Sequence, residues 1–342
     1  MINYRLFIDG EFKDAVKKQK ILNPATAEVI AEASVADEAD IESAIGSSRE
    51  AFDNGPWKES TLDERRDLLL KISQGILNQA AELANLETLN TGKPIKETIF
   101  MDIPSAAKAF EHVANNLGNY LKGSNLELAS SAQANLEYEP QGVVALIVPW
   151  NYPLLIASWK LASALGAGNT VVLKPSSLTP LTVLELAKII KEAGFPKGAV
   201  NILNASGAET GEALCADKRV DMISFTGSNE VGRQIMQYAS KNVKKLVMEL
   251  GGKSASIILK DADLESAVNG SLCSIFLNQG QMCTAMSRIL VEDDIYDRFV
   301  ADFVQKTKRI KLGNGLDYET QMGPLISDNQ RKNAAVYTEK AK

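Results

Sequence analysis

The pattern of apolar and polar positions changes character near Gly142. Upstream it is mixed. Tyr4-Arg-Leu-Phe-Ile-Asp-Gly-Glu-Phe12 is a hairpin signature turning at Asp9-Gly10. From Asp37 to Phe52 the apolar residues Ala39, Ile41, Ala44 and Ile45 recur at helical spacing. Thr61 to Leu89 predicts a second helix, opened by the capping box Thr61-x-x-Glu64 and stopped at Asn90-Thr-Gly92-Lys-Pro94. A third, from Pro104 to Leu121, carries His112, expected to be partly buried. Lys122 to Pro140 is polar and partly alternating, more an excursion than a core strand.

Downstream of Gly142, short buried-strand runs recur at Val143–Val148, Thr170–Leu173, Val200–Leu203, Met222–Phe225, Leu246–Met248 and Ser256–Leu259. Helical stretches separate most of them, among them Leu154–Leu165, Leu181–Ala193 and Asn229–Ala239. Strand-helix alternation predicts a doubly wound parallel α/β sheet, whose ligands sit beyond the carboxyl ends of the strands. The segments just after the runs are therefore the place to look for chemistry. They are Pro149-Trp-Asn-Tyr-Pro153, Lys174-Pro-Ser-Ser177, Phe225-Thr-Gly-Ser228 and Glu249-Leu-Gly-Gly-Lys-Ser254, followed later by Asn278-Gln-Gly-Gln-Met-Cys283. Polar residues recurring at the ends of buried strands are hard to attribute to packing.

Composition narrows the classes. The 342 residues are 45% hydrophobic, a length near two domains. Lys and Arg number 37 against 43 Asp and Glu, a net charge of −6, so no basic field exists to hold nucleic acid. Three cysteines form no disulfide framework and suit a reducing compartment. One histidine weakens every Cys-His, Ser-His-Asp or His-built metal reading; no metal site is expected. The N-terminus carries Arg5, Asp9 and Glu11 and lacks the apolar core of a signal peptide. Pro140 to Trp159 is uncharged and long enough to span a bilayer, but three prolines and a midway change from strand to helix pattern argue against it. A soluble, cytoplasmic protein is expected.

The five polar elements, in this order and with this spacing, resemble those of the aldehyde dehydrogenase superfamily along essentially the whole chain. The absence of a G-x-G-x-x-G fingerprint agrees with that resemblance, since Gly166-Ala-Gly168 precedes a strand. The resemblance implies a Rossmann-like, doubly wound cofactor domain and a second α/β catalytic domain. It also implies oxidation of an aldehyde to the acid with NAD or NADP. Cys283 would be the nucleophile, passing through a thiohemiacetal and a thioester. Cys215 and Cys273 lack such surroundings and read as small buried hydrophobes. Asn151 would donate to the oxyanion together with the Cys283 N–H, a contribution typically of about 3–4 kcal/mol. Glu249 would activate the hydrolytic water and relay the Cys283 proton. A glutamate at this position speaks against acylating relatives that use coenzyme A.

The same resemblance assigns the cofactor to Trp150, Lys174, Ser177, Gly207, Gly211, Phe225, Thr226, Gly227, Ser228, Leu250 and Gly251. Gly227 and Ser228 open a helix whose amides face phosphate. Ser177 stands where many NAD-preferring members carry glutamate. With Lys174 beside it, a 2′-phosphate is tolerated, so NADP use alongside NAD is expected. The aldehyde tunnel would be lined by Tyr152, Trp159, Met282 and Thr284. The aromatic pair Tyr152 and Trp159 suits a cationic aldehyde of the betaine-aldehyde or aminoaldehyde kind.

The chain stops mid-helix by pattern, and relatives run on for about another third, so it reads as C-terminally truncated. Residues 1–121 and 140–251 would form the dinucleotide-binding domain, 122–139 a bridging and oligomerisation excursion, and 252–342 the start of the catalytic domain. The full-length form is expected to be a homodimer or homotetramer. An acylating enzyme and a non-catalytic nucleotide-binding fragment stand as alternatives.

Overall fold

The computed structural model describes residues 2–127, 133–205 and 207–341. Five short strands come first: β1 (Ile2–Tyr4), β2 (Leu6–Ile8), β3 (Glu11–Lys13), β4 (Lys18–Leu22) and β5 (Val29–Ser34). The helices α1 (Glu38–Asp53), α2 (Leu62–Asn78), α3 (Ala80–Thr91) and α4 (Ile95–Glu97) follow. A π-helical turn at Thr98–Asp102 leads into α5 (Ile103–Tyr120), and β6 (Ser124–Glu127) and β7 (Gln133–Leu136) form a separate hairpin. The alternating section contains β8 (Val143–Ile147), α6 (Pro153–Gly166), β9 (Thr170–Lys174), α7 (Leu181–Ala193) and β10 (Val200–Ile202). It continues through α8 (Gly207–Ala216), β11 (Met222–Gly227), α9 (Asn229–Ser240) and β12 (Lys245–Leu250). Last come β13 (Ala255–Ile258), α10 (Leu264–Phe276), a 3₁₀ turn at Leu277–Gly280, β14 (Arg288–Val291), α11 (Asp293–Thr307) and α12 (Asp328–Ala341).

The main sheet has the order β12-β11-β8-β9-β10-β2-β3, the first five strands parallel and the β2–β3 hairpin antiparallel. Asp9 and Gly10 both take positive φ, as a two-residue hairpin turn requires. Chain order reverses between β8 and β11, so the switch point of this doubly wound sheet lies beyond those two strands. Strand β8 shows why the core runs read as unbroken apolar segments. Val144 and Leu146 face a core built with α2, α5, α6 and α7, while Val143, Ala145 and Ile147 face one built with α1, α8 and α9. Both faces of the strand are covered, so every position is apolar.

Four sequence expectations change. The helix expected from Thr61 to Leu89 is two helices, α2 and α3, which meet at Gln79. Gln79 is C-cap of one and N-cap of the other; apolar periodicity continues across it and hides the break. His112 is exposed, its Nε2 2.8 Å from the Tyr120 hydroxyl. Of the two cysteines expected inside, Cys215 is buried and Cys273 is exposed. The strand expected at Ser256–Leu259 forms as β13 but pairs with β14 in a separate parallel sheet, over a small core of Ile258, Val268, Ile295 and Phe299. Among the described residues no helix is long and apolar enough to cross a membrane.

Candidate active site

Strand register sets the site. Ile147 pairs with Lys174 on β9 and with Phe225 on β11, and Phe225 pairs with Met248 on β12. The carboxyl ends of four strands are thus level. Each strand then delivers a polar group in or just past that row: the Trp150-Asn151 loop, Lys174, Thr226 to Ser228, and Glu249. Thr179 Oγ1 donates to the Trp150 carbonyl at 3.1 Å and holds the first loop.

Cys283 arrives from the other sheet. Helix α10 ends at Phe276, and Asn278, Gln279 and Gly280 all take positive φ (49°, 57° and 74°). Three left-handed residues in succession reverse the chain. Asn278, wholly buried, locks the reversal: its Nδ2 donates to the carbonyls of Asn151 (3.0 Å) and Gln281 (3.2 Å). Asn151 Nδ2 donates to the same Gln281 carbonyl at 2.9 Å, and its Oδ1 accepts from Tyr152 N at 3.1 Å. These partners fix which way the Asn151 amide faces, and its second N–H is left for another acceptor. Cys283 itself is exposed on a turn.

Three cavities lie along this edge. The first, 450 Å³, is lined by Lys174, Ser177, Gly211, Phe225, Gly227 and Ser228. The second, 750 Å³, is lined by Asn151, Glu249, Leu250, Gly251, Met282 and Cys283, and shares Trp150, Gly227 and Ser228 with the first. The third, 640 Å³, contains Trp159 and Lys160 and shares Thr226, Glu249 and Cys283 with the second. One continuous edge therefore joins Lys174 at one end to Trp159 at the other.

Charge along it is uneven. Lys174 is nearly buried, among the described residues bonded only to the Pro175 carbonyl at 3.3 Å, and burial pushes it down to about 8. A buried ammonium beside the open cavity is suited to sugar hydroxyls or a phosphate. Ser228 caps α9 by accepting from Val231 N, leaving earlier amides of that helix facing the same cavity. A Cβ at Gly227 would lie 2.5 Å from the Phe225 ring, so any other residue would have to displace that ring where the strand enters the helix. A dinucleotide fits this combination of a cavity, a helix N-terminus and an uncommitted lysine. Lys160 donates to Ser224 Oγ at 2.6 Å; burial pushes it down to about 8, with Glu249 pulling it back up.

The expected residues are not all gathered. Gly207 opens α8 and Gly211 lies one turn on. Tyr152 is buried, with the Lys93 ammonium 3.5 Å from its ring centroid and its hydroxyl donating to Met282 sulfur at 3.4 Å. Its ring lines none of the three cavities, whereas Trp159 lines the third. Thr284 is exposed and lines none of them either. Sequence reasoning missed Lys160, Asn278 and Glu97, whose carboxylate accepts from Asn278 N at 3.0 Å. For Asn278 a signal existed, since asparagine shortly before glycine is a usual left-handed position.

Comparison with known proteins agrees. The aldehyde dehydrogenase family model matches residues 12–342. Betaine aldehyde dehydrogenase of Bacillus subtilis (strain 168) is 46% identical over 339 residues, covering 98% of this chain and 68% of that protein. The NAD+ complex of an aldehyde dehydrogenase from Bacillus cereus superposes with a TM-score of 0.95 at 40% identity, over 98% of this chain and 69% of that one. A betaine aldehyde dehydrogenase from Staphylococcus aureus with NAD+ gives 0.94 at 39% identity, over 99% and 67%. The chain thus spans about two thirds of the length of these relatives and shares the fold of the two solved structures over 98–99% of its residues. A sheet switching at β8 and β11, five motifs at its edge and a match over all but the first eleven residues lead to one assignment: the chain belongs to the aldehyde dehydrogenase family.

Proposed function

We propose that this chain oxidises an aldehyde to its carboxylic acid with NAD+ or NADP+, using Cys283, Asn151 and Glu249. The observation that carries the reading is the shared lining of one 750 Å³ cavity by these three side chains and by Gly227 and Ser228. Cys283 Sγ adds to the aldehyde carbon, giving a thiohemiacetal whose oxyanion is met by the free N–H of Asn151 and the Cys283 amide. The nicotinamide, when bound, supplies an acceptor for the hydride on that carbon. What remains on Cys283 is a thioester. Glu249 takes a proton from water, the hydroxide adds to the thioester carbonyl, and Cys283 leaves as thiolate. Lys174, Ser177, Gly211, Gly227 and Ser228 hold the dinucleotide.

Ser177 and Lys174 present no carboxylate to a 2′-phosphate. NADP+ should therefore serve within a hundredfold of NAD+ in kcat/KM; a larger bias toward NAD+ would refute this. We assign residues 1–121 and 140–251 to cofactor binding, 122–139 to subunit pairing in a homo-oligomer, and 252–342 to the catalytic domain. The end of the main sheet at Leu250 and the isolated β6–β7 hairpin support that division. A cationic aldehyde is the favoured substrate: two of the relatives act on betaine aldehyde by name, and Trp159 is 54% exposed beside the third cavity.

The test is NAD(P)H absorbance over an aldehyde panel that pairs betaine aldehyde with its neutral isostere 3,3-dimethylbutanal, comparing the chain with Cys283→Ala. Turnover without coenzyme A that is lost in Cys283→Ala supports the proposal. If both are equally inert while dinucleotide still raises the melting temperature, the chain is a nucleotide-binding fragment.

A further inference from the structure

We propose that Glu97 is a positioning residue for this reaction: its carboxylate grips the backbone N–H of Asn278 and thereby sets the loop that carries Cys283 against Asn151. The two carboxylate oxygens lie 3.0 and 3.3 Å from Asn278 N. Asn278 is the first of the left-handed residues and is buried outright. Its side chain holds both the Asn151 carbonyl and the Gln281 carbonyl, and Gln281 is two residues from Cys283. A force on Asn278 is therefore passed to both ends of the cavity. Glu97 reaches it across 181 positions of sequence, from the short helix α4.

The surroundings make this grip dependent on protonation. Lys93, Asp102 and Tyr152 face Glu97. Lys93 is paired with Asp102 in a buried ion pair and lies over the Tyr152 ring, so one ammonium serves both carboxylates and does not outweigh the burial of Glu97. Glu87, the fourth charged member, turns to Thr182 Oγ1 and Leu154 N. Burial, with Asp102 adding to it, pushes Glu97 up to about 7 against the pull of Lys93 and the Asn278 amide. An ionised carboxylate accepts the Asn278 N–H more strongly than a protonated one, so the loop is firm above neutrality and slackens below it.

The loop ordering can be measured without turnover, although its consequence for rate rests on the dehydrogenase reading. Hydrogen exchange of residues 277–284 is followed by mass spectrometry at pH 8 in the wild type, Glu97→Leu and Glu97→Gln, beside kcat from pH 6 to 9. Loss of a charge-assisted bond should speed exchange in Glu97→Leu about tenfold and lower kcat by about as much, with KM little moved. Glu97→Gln keeps an acceptor oxygen, so it should retain most of the protection and lose the acid limb near pH 7. Unchanged exchange in Glu97→Leu, or an acid limb that survives in Glu97→Gln, overturns the proposal. Should Glu97→Leu lose its melting transition, Glu97→Gln decides: followed from pH 6 to 9 and corrected for the intrinsic exchange rate at each pH, the protection of this loop must become independent of pH. Inert wild type with these exchange effects intact would sink the dehydrogenase reading and leave Glu97 in place.

Discussion

The three cysteines show how environment assigns a role to one side chain. Cys215, on α8, is packed into the core against α9, where burial pushes its thiol up to about 12 and makes it inert at neutral pH. Cys273 and Cys283 both face solvent, yet only Cys283 has polar groups converging on it. Asn151 is the most informative of these. Its orientation is fixed by Tyr152 N and the Gln281 carbonyl, so its remaining N–H points without rotamer freedom to squander. Asn151→Ala should therefore lower kcat by roughly 10²–10³, about 3–4 kcal/mol, while KM changes by only a few-fold. Steady-state kinetics decide it. A kcat within threefold of wild type would remove Asn151 from oxyanion stabilisation.

At the scale of elements, legibility tracked the range of the interactions involved. The β2–β3 hairpin was readable because Asp9-Gly10 supplies both positive φ angles locally. The α2 capping box was readable because Thr61 and Glu64 bond within one turn. Buried strands stood out because helices on both faces force apolar residues at every position. The join at Gln79 was hidden, since nothing in the local pattern interrupts the helix period. The loop before Cys283 was half legible. Its polar residues marked it as functional, but its conformation depends on Glu97 and Asn151, distant in sequence. This loop yields a prediction of its own. Asn278→Ala replaces a residue type that tolerates left-handed backbone with one for which it costs about 1–2 kcal/mol, and strips the donor from the Asn151 carbonyl, while Asn151 Nδ2 still serves the Gln281 carbonyl. Asn278→Gly relieves only the strain. Both variants should lose activity, and the alanine variant should melt lower than the glycine one. Equal melting temperatures would mean the backbone strain is absorbed elsewhere.

Across the whole molecule, a set of buried charges runs through the larger hydrophobic core, which α3, α5, α6 and α7 share, and ties it to the loop before Cys283. Glu87 on α3 accepts from Thr182 on α7 and from Leu154 N on α6; Lys93 pairs with Asp102; Glu97 reaches the catalytic loop. Three carboxyl groups share one ammonium, so ionising all of them is unfavourable. Glu87 and Glu97 are each pushed up to about 7, principally by burial. Because the folded value exceeds the unfolded one, near 4.5, folding takes up protons between the two. The stabilisation is complete below about pH 4.5 and is lost as pH rises through about 7, on the order of 3 kcal/mol for a single group at this shift. Surface pairs work in the opposite sense. Asp217, held below the usual carboxylate range by Arg219, contributes stability that fades as pH falls. A melting profile of the wild type alone mixes the two. Glu87→Gln separates them, because the amide can still accept from Leu154 N and donate to Thr182 while carrying no charge. Its melting temperature relative to wild type should rise by several degrees between pH 5 and pH 8. A difference that stays constant across that range would mean Glu87 keeps one protonation state throughout, and the buried charges would then be a fixed brace rather than a titrating one.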